Sequence, residues 1–177
     1  MQTRHQDRSA YFEETATSCR NYYLPYIEQH TSLKFGRNCR VMEVGCGIGG
    51  ILSIFAAMGA TVTGIDIHKP SIETAKTLFA ERGLKGTFIC SDIFDYSDTQ
   101  PYDLIILHDA LEHIPEKERL MLHLKSFLKA DGLLYLGFPA WQMPFGGHQQ
   151  MAKNRIIANC PYIHLLPRSL FRFVFRA

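Results

Sequence analysis

The sequence predicts an open, doubly wound α/β fold with a mostly parallel sheet, and three observations carry that prediction. Short apolar runs alternate with helical stretches between residues 39 and 140. Two of those stretches close on a glycine, Gly59 and Gly83. Four glycines, Gly45, Gly47, Gly49 and Gly50, follow the first apolar run. Alternation at this spacing builds right-handed βαβ units, whose sheet is covered by helices on both faces.

The elements follow in order. Residues 10–30 place Tyr11, Phe12, Tyr22, Tyr23, Tyr26 and Ile27 among charged positions and read as a helix broken at Pro25. With its flanks, 1–36, this segment forms a helical cap before the main domain. Residues 40–44 are the first strand, and 51–58 a helix. The β-branched run 61–67 is the second strand, and 71–82 is helical. Residues 87–90 and 103–107 are the third and fourth strands. Leu120, Leu124, Phe127 and Leu128 make 116–129 a helix, ended by Asp131-Gly132. Residues 133–138 are the fifth strand.

At 177 residues, 46% hydrophobic and 20% charged, the chain suits one globular domain and excludes a disordered or collagen-like class. No apolar run reaches the roughly 18 residues of a membrane span, and the first residues are too polar for a signal peptide. Five cysteines without a CxxC pair indicate reduced thiols and a cytoplasmic location. Charge is uneven. Residues 1–140 hold 14 basic side chains against all 17 acids; residues 141–177 hold five and none.

Parallel sheets bind ligands at the carboxyl ends of their strands, so the residues after each strand are the functional candidates. After the first strand, Glu43-Val44-Gly45-Cys46-Gly47-Ile48-Gly49-Gly50 lets the backbone turn sharply and opens the start of a helix to a ligand. Asp66 closes the second strand, where a carboxylate can accept both hydrogen bonds of a ribose diol. Asp92 follows the third, where an acceptor can meet an adenine amino group while Ile93 packs on the ring. After the fourth come His108, Asp109, Glu112 and His113 as candidate bases. On a helix start, Asp109, Glu112 and His113 share one face. That spacing admits two readings: a divalent metal held by these three with His148, or a metal-free loop with His113 beside the substrate.

The runs VMEVGCGIGG, GIDIHKPSIETAK, SDIFD, DLIILHDALEHIP and LKADGLLYLGFP, in this order over residues 37–140, resemble the class I S-adenosylmethionine-dependent methyltransferases. They are most similar to the small-molecule branch that includes quinone O-methyltransferases. The resemblance implies a Rossmann-like methyltransferase domain over 37–177 with S-adenosyl-L-methionine as cofactor. Glu43, Gly45, Cys46, Gly47 and Gly49 would hold its methionine end. Asp66 would bind the ribose, Ile67 and Ile93 would sandwich the adenine, and Asp92 would reach the adenine amino group. His108 would lie near the sulfonium and, with His113 and His148, is a catalytic candidate. Metal is not required by the resemblance.

The segment 138–148 carries two prolines, two glycines and large aromatics, and at a strand's carboxyl end it suits a substrate lid. Trp141, Phe145 and His148 are its substrate-side candidates, for a small acceptor methylated at oxygen. Residues 168–176 begin an amphipathic helix with Arg168, Arg172 and Arg176 on one face. In the family two strands follow such a helix, so the domain reads as incomplete at its C-terminal end. Its fifth strand would be an open edge for a second copy to cover. The basic tail is then one face of a helix, and nucleic acid is not an expected partner. Two alternatives remain: a nicotinamide-dependent oxidoreductase, which shares the glycine pattern, and a cofactor-binding accessory protein without catalysis.

Overall fold

The computed structural model describes residues 7–140, 142–144 and 158–167. Five strands pair in parallel: β1 (Arg40–Val44), β2 (Thr61–Asp66), β3 (Thr87–Cys90), β4 (Tyr102–His108) and β5 (Leu128–Gly137). Their spatial order is β3-β2-β1-β4-β5. The chain runs outward from β1 to β3, then crosses back to β4 on the other side of β1. The carboxyl ends of β1 and β4 therefore flank the switch point, where such sheets leave a crevice.

Among the described residues the sheet is accompanied by α1 (Arg8–Ser18), α2 (Leu24–His30), α3 (Gly50–Ala57), α4 (Lys69–Glu81) and α5 (Lys117–Phe127). The strands alternate between two cores. Val41, Leu104 and Ile106 face Phe12 of α1, Leu52 and Phe55 of α3, and Phe79 of α4. Met42, Ile105 and Leu107 face Leu120, Leu124 and Phe127 of α5. Burying each such side chain contributes about 1.5–3 kcal/mol, so both faces hold the sheet.

Three local departures from the sequence expectation have physical causes. The break near Pro25 is a π-helical turn, Cys19–Tyr23, joining α1 to α2, with the Leu24 N–H donating to the Cys19 carbonyl. Pro25 has no N–H and its ring would strike the carbonyl four residues back, which the wider turn relieves. Between β3 and β4, where the sequence reading assigns no element, the crossover carries a 3-10 turn, Ile93–Asp95. It is tied down beyond by Asp98, whose Oδ2 accepts from Tyr96, Tyr102 and Arg40 at 3.1, 2.7 and 2.8 Å. Finally, Asp131-Gly132 does not separate α5 from a later strand. β5 begins at Leu128 opposite Tyr102 and resumes pairing at Leu133 opposite Leu104, so the turn residues bulge out of a longer strand.

The chain forms two compact units, Met1–Gly137 and Phe138–Ala177. In the second, the Met143 N–H donates to Ala140 and the Tyr162 N–H to Pro144, ahead of a 3-10 turn at Ile163–Leu165. Trp141, Phe145, His148 and the helix expected from residue 168 lie outside the described residues. All five cysteines are thiols outside any disulfide. Among the described residues no helix is long and apolar enough to cross a membrane.

Candidate active site

At the end of β1 the pleat sends Met42 and Val44 to the α5 face and Glu43 to the α1 and α3 face, where it is 3% exposed. The loop that follows takes left-handed conformations at Gly45, Gly47 and Gly49, with φ of 75°, 51° and 84°. A Cβ on Gly45 would also lie 2.6 Å from the Ala110 Cβ, so only glycine lets the loop pass the end of β4. The loop is stitched to β2. The Gly45 and Cys46 N–H groups donate to the Ile65 carbonyl at 2.8 and 3.1 Å. The Gly47 N–H donates to Asp66 Oδ2 and the His68 N–H to Asp66 Oδ1, both at 2.8 Å. Asp66 is thereby held in one orientation, each oxygen keeping a second lone pair for a ligand.

Two cavities open over the switch point and share Gly45 and Asp109. The larger, about 450 Å³, is lined by Asp66, Ile67, Asp92, Ile93 and His113 among others, a size suited to a nucleoside-bearing ligand. Ile67 is 77% exposed and Ile93 buried, so one wall is rigid and the other accessible. Asp92 Oδ1 accepts from the Phe94 N–H and caps the 3-10 turn. The smaller cavity, about 130 Å³, is lined by Tyr11, Thr15, Glu43, Gly47, His108 and Asp109.

Asp109 adopts φ of 51°, a costly conformation for a residue other than glycine. Its Oδ2 lies 3.4 Å from His108 Nδ1. The imidazole packs on Tyr23 of the π-helical turn with ring centroids 4.6 Å apart. Gly137 gives it room, because a Cβ there would lie 2.5 Å from His108 Cδ2. Burial pushes the Tyr23 hydroxyl up to about 12, with Tyr135, Asp109, Cys19 and Glu43 adding to it. Burial, then Asp66, raises the Glu43 carboxyl well above the glutamate range. Burial, more than any neighbouring charge, raises the Cys46 thiol well above the thiol range, so it is no nucleophile.

The structure thus gathers Glu43, Gly45, Cys46, Gly47, Asp66, Ile67, Asp92, Ile93, His108 and His113 at one end of the sheet. It does not bring Asp109, Glu112 and His113 onto one face. Among the described residues no three His, Cys, Asp or Glu side chains are placed to hold a metal. The cause is local: Leu111–His113 is a 3-10 turn between left-handed Asp109 and Pro115, and α5 starts only at Lys117. His113 and Asp109 line the larger cavity, whereas Glu112 buries its Oε2 without a hydrogen-bond partner. Tyr11, Thr15 and Tyr23 are site residues to which sequence reasoning gave no role. Tyr11 and Tyr23 stand among the apolar positions of the N-terminal helical segment and Thr15 does not, and nothing local tells that this segment lies over the glycine loop.

A glycine loop at the switch point, acids ending three successive parallel strands and a nucleoside-sized cavity define a cofactor-binding domain of the doubly wound class. A family model described as a methyltransferase domain matches residues 35–171. The ubiquinone biosynthesis O-methyltransferase of Actinobacillus pleuropneumoniae is 38% identical over 119 residues, covering 63% of this chain and 50% of the relative. That of Coxiella burnetii is 38% identical over 114 residues, covering 63% and 47%. The chain thus spans about half the length of these curated relatives. Among solved structures, the plantazolicin methyltransferase BpumL with a pentazolic analogue and S-adenosylhomocysteine superposes with a TM-score of 0.61 at 19% identity, covering 89% of this chain and 63% of that one. Coclaurine N-methyltransferase bound to N-methylheliamine and S-adenosylhomocysteine gives 0.57 at 23%, covering 64% and 34%. These two share the fold. The chain belongs to the methyltransferase domain family, in the class I S-adenosylmethionine-dependent group.

Proposed function

We propose that the two neighbouring cavities together bind S-adenosyl-L-methionine and that the protein transfers its methyl group to an oxygen of a small-molecule acceptor in the cytoplasm. The observation that supports this reading is that Glu43, Asp66 and Asp92, at the ends of three adjacent strands, line two neighbouring cavities, Glu43 the smaller and the two aspartates the larger. The residues fit the cofactor. Glu43 presents a buried oxygen with no hydrogen-bond partner, which suits an ammonium group. The fixed Asp66 carboxylate suits a ribose diol, and Ile67 and Ile93 suit the two faces of an adenine whose amino group meets Asp92. When bound, the cofactor supplies a methyl group already activated on a sulfonium.

The protein's own work is alignment and proton handling. The glycine loop and Glu43 fix one end of the cofactor and Asp66 the other, so the acceptor has one line of approach. His108 would take the proton of an acceptor hydroxyl, with His113 on the nucleoside side; its stacking on Tyr23 and its contact with Asp109 support that role. Oxygen as the methylated atom is supported by the names of the relatives at 38% identity. Trp141, Phe145 and His148 are proposed for the acceptor side.

Calorimetric titration with S-adenosylhomocysteine beside NAD tests this reading. We expect the former to bind and NAD not to. Asp66→Ala should weaken binding by about 2 kcal/mol or more, since it removes an ionised acceptor of two hydrogen bonds. Binding of NAD in place of S-adenosylhomocysteine would overturn the proposal.

A further inference from the structure

We infer that cofactor uptake is coupled to loss of a proton from Glu43: the free protein holds this side chain as a neutral acid, and a ligand carrying an ammonium group converts it to the carboxylate. The inference rests on the cofactor reading above and concerns the regulation of that same site.

The geometry comes first. Glu43 is 3% exposed, its Oε2 has no hydrogen-bond partner, and among the described residues it forms no ion pair. A buried charge without a counter-charge is not sustained; such a group takes up a proton instead. The groups around it come from every element packed there. Asp66 ends β2, Tyr11 and Thr15 come from α1, and Cys19 and Tyr23 from the π-helical turn. Cys46 belongs to the loop, and His108 and Asp109 follow β4. Burial, then the Asp66 carboxylate, disfavours a charge on Glu43, and the Leu52 N–H at the start of α3 opposes them without prevailing. The carboxyl nevertheless lines a 130 Å³ cavity that has Gly45 and Asp109 in common with the nucleoside cavity beside it. An ammonium group seated there supplies the missing positive charge, and the displaced proton passes to solvent.

The sign follows from linkage. The ligand favours ionised Glu43, so the bound state holds fewer protons than the free state, and affinity must rise with pH. The gain is about tenfold per pH unit until Glu43 ionises in the free protein, and zero beyond that point. A ligand with the adenosine but no amino-acid end carries no such dependence.

The test is calorimetry of S-adenosylhomocysteine binding over a pH series that starts just above the ordinary glutamate range, at about pH 5. Repeating it in buffers of different ionisation enthalpy counts the protons released. We expect close to one proton from the wild type, none from Glu43→Gln, and none from either protein with 5′-methylthioadenosine. Retained 5′-methylthioadenosine binding shows that the Gln variant is folded. Wild-type binding without proton release, or equal release from Glu43→Gln, overturns this inference alone. Failure of both nucleosides to bind overturns the cofactor reading and this inference with it.

Discussion

Gly64 of β2 pairs with Glu43 of β1 and lies beneath Cys46 of the glycine loop. A Cβ there would come 2.7 Å from Cys46 Sγ and 2.8 Å from Phe88 Cδ1, both in buried residues. Gly64→Ala should therefore cost about 1–3 kcal/mol, read from the midpoint of urea denaturation. It should also weaken S-adenosylhomocysteine binding, because Cys46 precedes the Gly47 N–H that orients Asp66. Gly83→Ala is the contrast. Gly83 has φ of 64° and open space around its Cβ position, so the variant should lose about 1 kcal/mol with binding unchanged. If both variants bound equally well, the tight packing under the loop would not set its geometry. At this scale the glycines and the strand-end acids were readable, because backbone conformation and strand ends impose those residue types locally. Tyr11, Thr15 and Tyr23 were not, since their place depends on how α1 lands on the loop, a contact between segments distant in sequence.

The α1 helix packs on α3 beside the loop, and side chains from α4 and its C-terminal end tie it further. Arg82 donates to Glu13 at 2.8 Å, and its guanidinium lies 4.4 Å from the centroid of buried Phe12. Arg8 reaches Thr74 and the Pro70 carbonyl. The Arg82–Glu13 pair is partly exposed and worth little alone, so the cation–π contact carries most of the latch. Arg82→Ala should cost about 1 kcal/mol and speed amide hydrogen exchange in α1 while leaving β1 and β4 unchanged. Equal acceleration in all three elements would mean that α1 does not open separately. The elements themselves were largely legible: β1 and β3 have the expected bounds, and the helices follow the 3.6-residue apolar spacing. Three features were not. The π-helical turn, the 3-10 crossover and the β5 bulge each arise from a local conflict settled by tertiary packing. Pro25 meets a continuing helix, Asp92 caps a turn too short for an α-helix, and Leu128 pairs with Tyr102 before the Asp131-Gly132 turn is reached. The failed i, i+3, i+4 reading of Asp109, Glu112 and His113 has the same origin, since it assumed an α-helix where the chain makes a 3-10 turn.

Two carboxyls pull the stability of the whole molecule in opposite directions with pH. Burial opposes the charge on Asp98, but the Gln100 N–H, Tyr102, Arg40 and Tyr96 outweigh it and hold this carboxyl below the usual range. Its contribution is present above about pH 4, the value of an unfolded aspartate, and is lost as pH falls through its lower folded value. Glu43 is raised in the folded state by burial and then by Asp66. At about pH 4 and below it is neutral both folded and unfolded, and costs nothing. As pH rises further, the unfolded chain gains by ionising while the folded one keeps its proton, so the native state loses ground until Glu43 ionises within it. Glutamine has the shape of the neutral acid and no proton to lose. Glu43→Gln should therefore match the wild type at about pH 4 and exceed it by an increment growing by about 1.4 kcal/mol per pH unit above that, levelling where folded Glu43 ionises. Urea denaturation of the ligand-free proteins over a pH series measures that increment. An increment that does not change with pH would mean that folded Glu43 is already ionised and that its charge is met by a partner. The expected result places the cost of the site in the fold itself: a carboxyl that destabilises the ligand-free protein above the ordinary glutamate range is stabilised by the ligand it is shaped to receive.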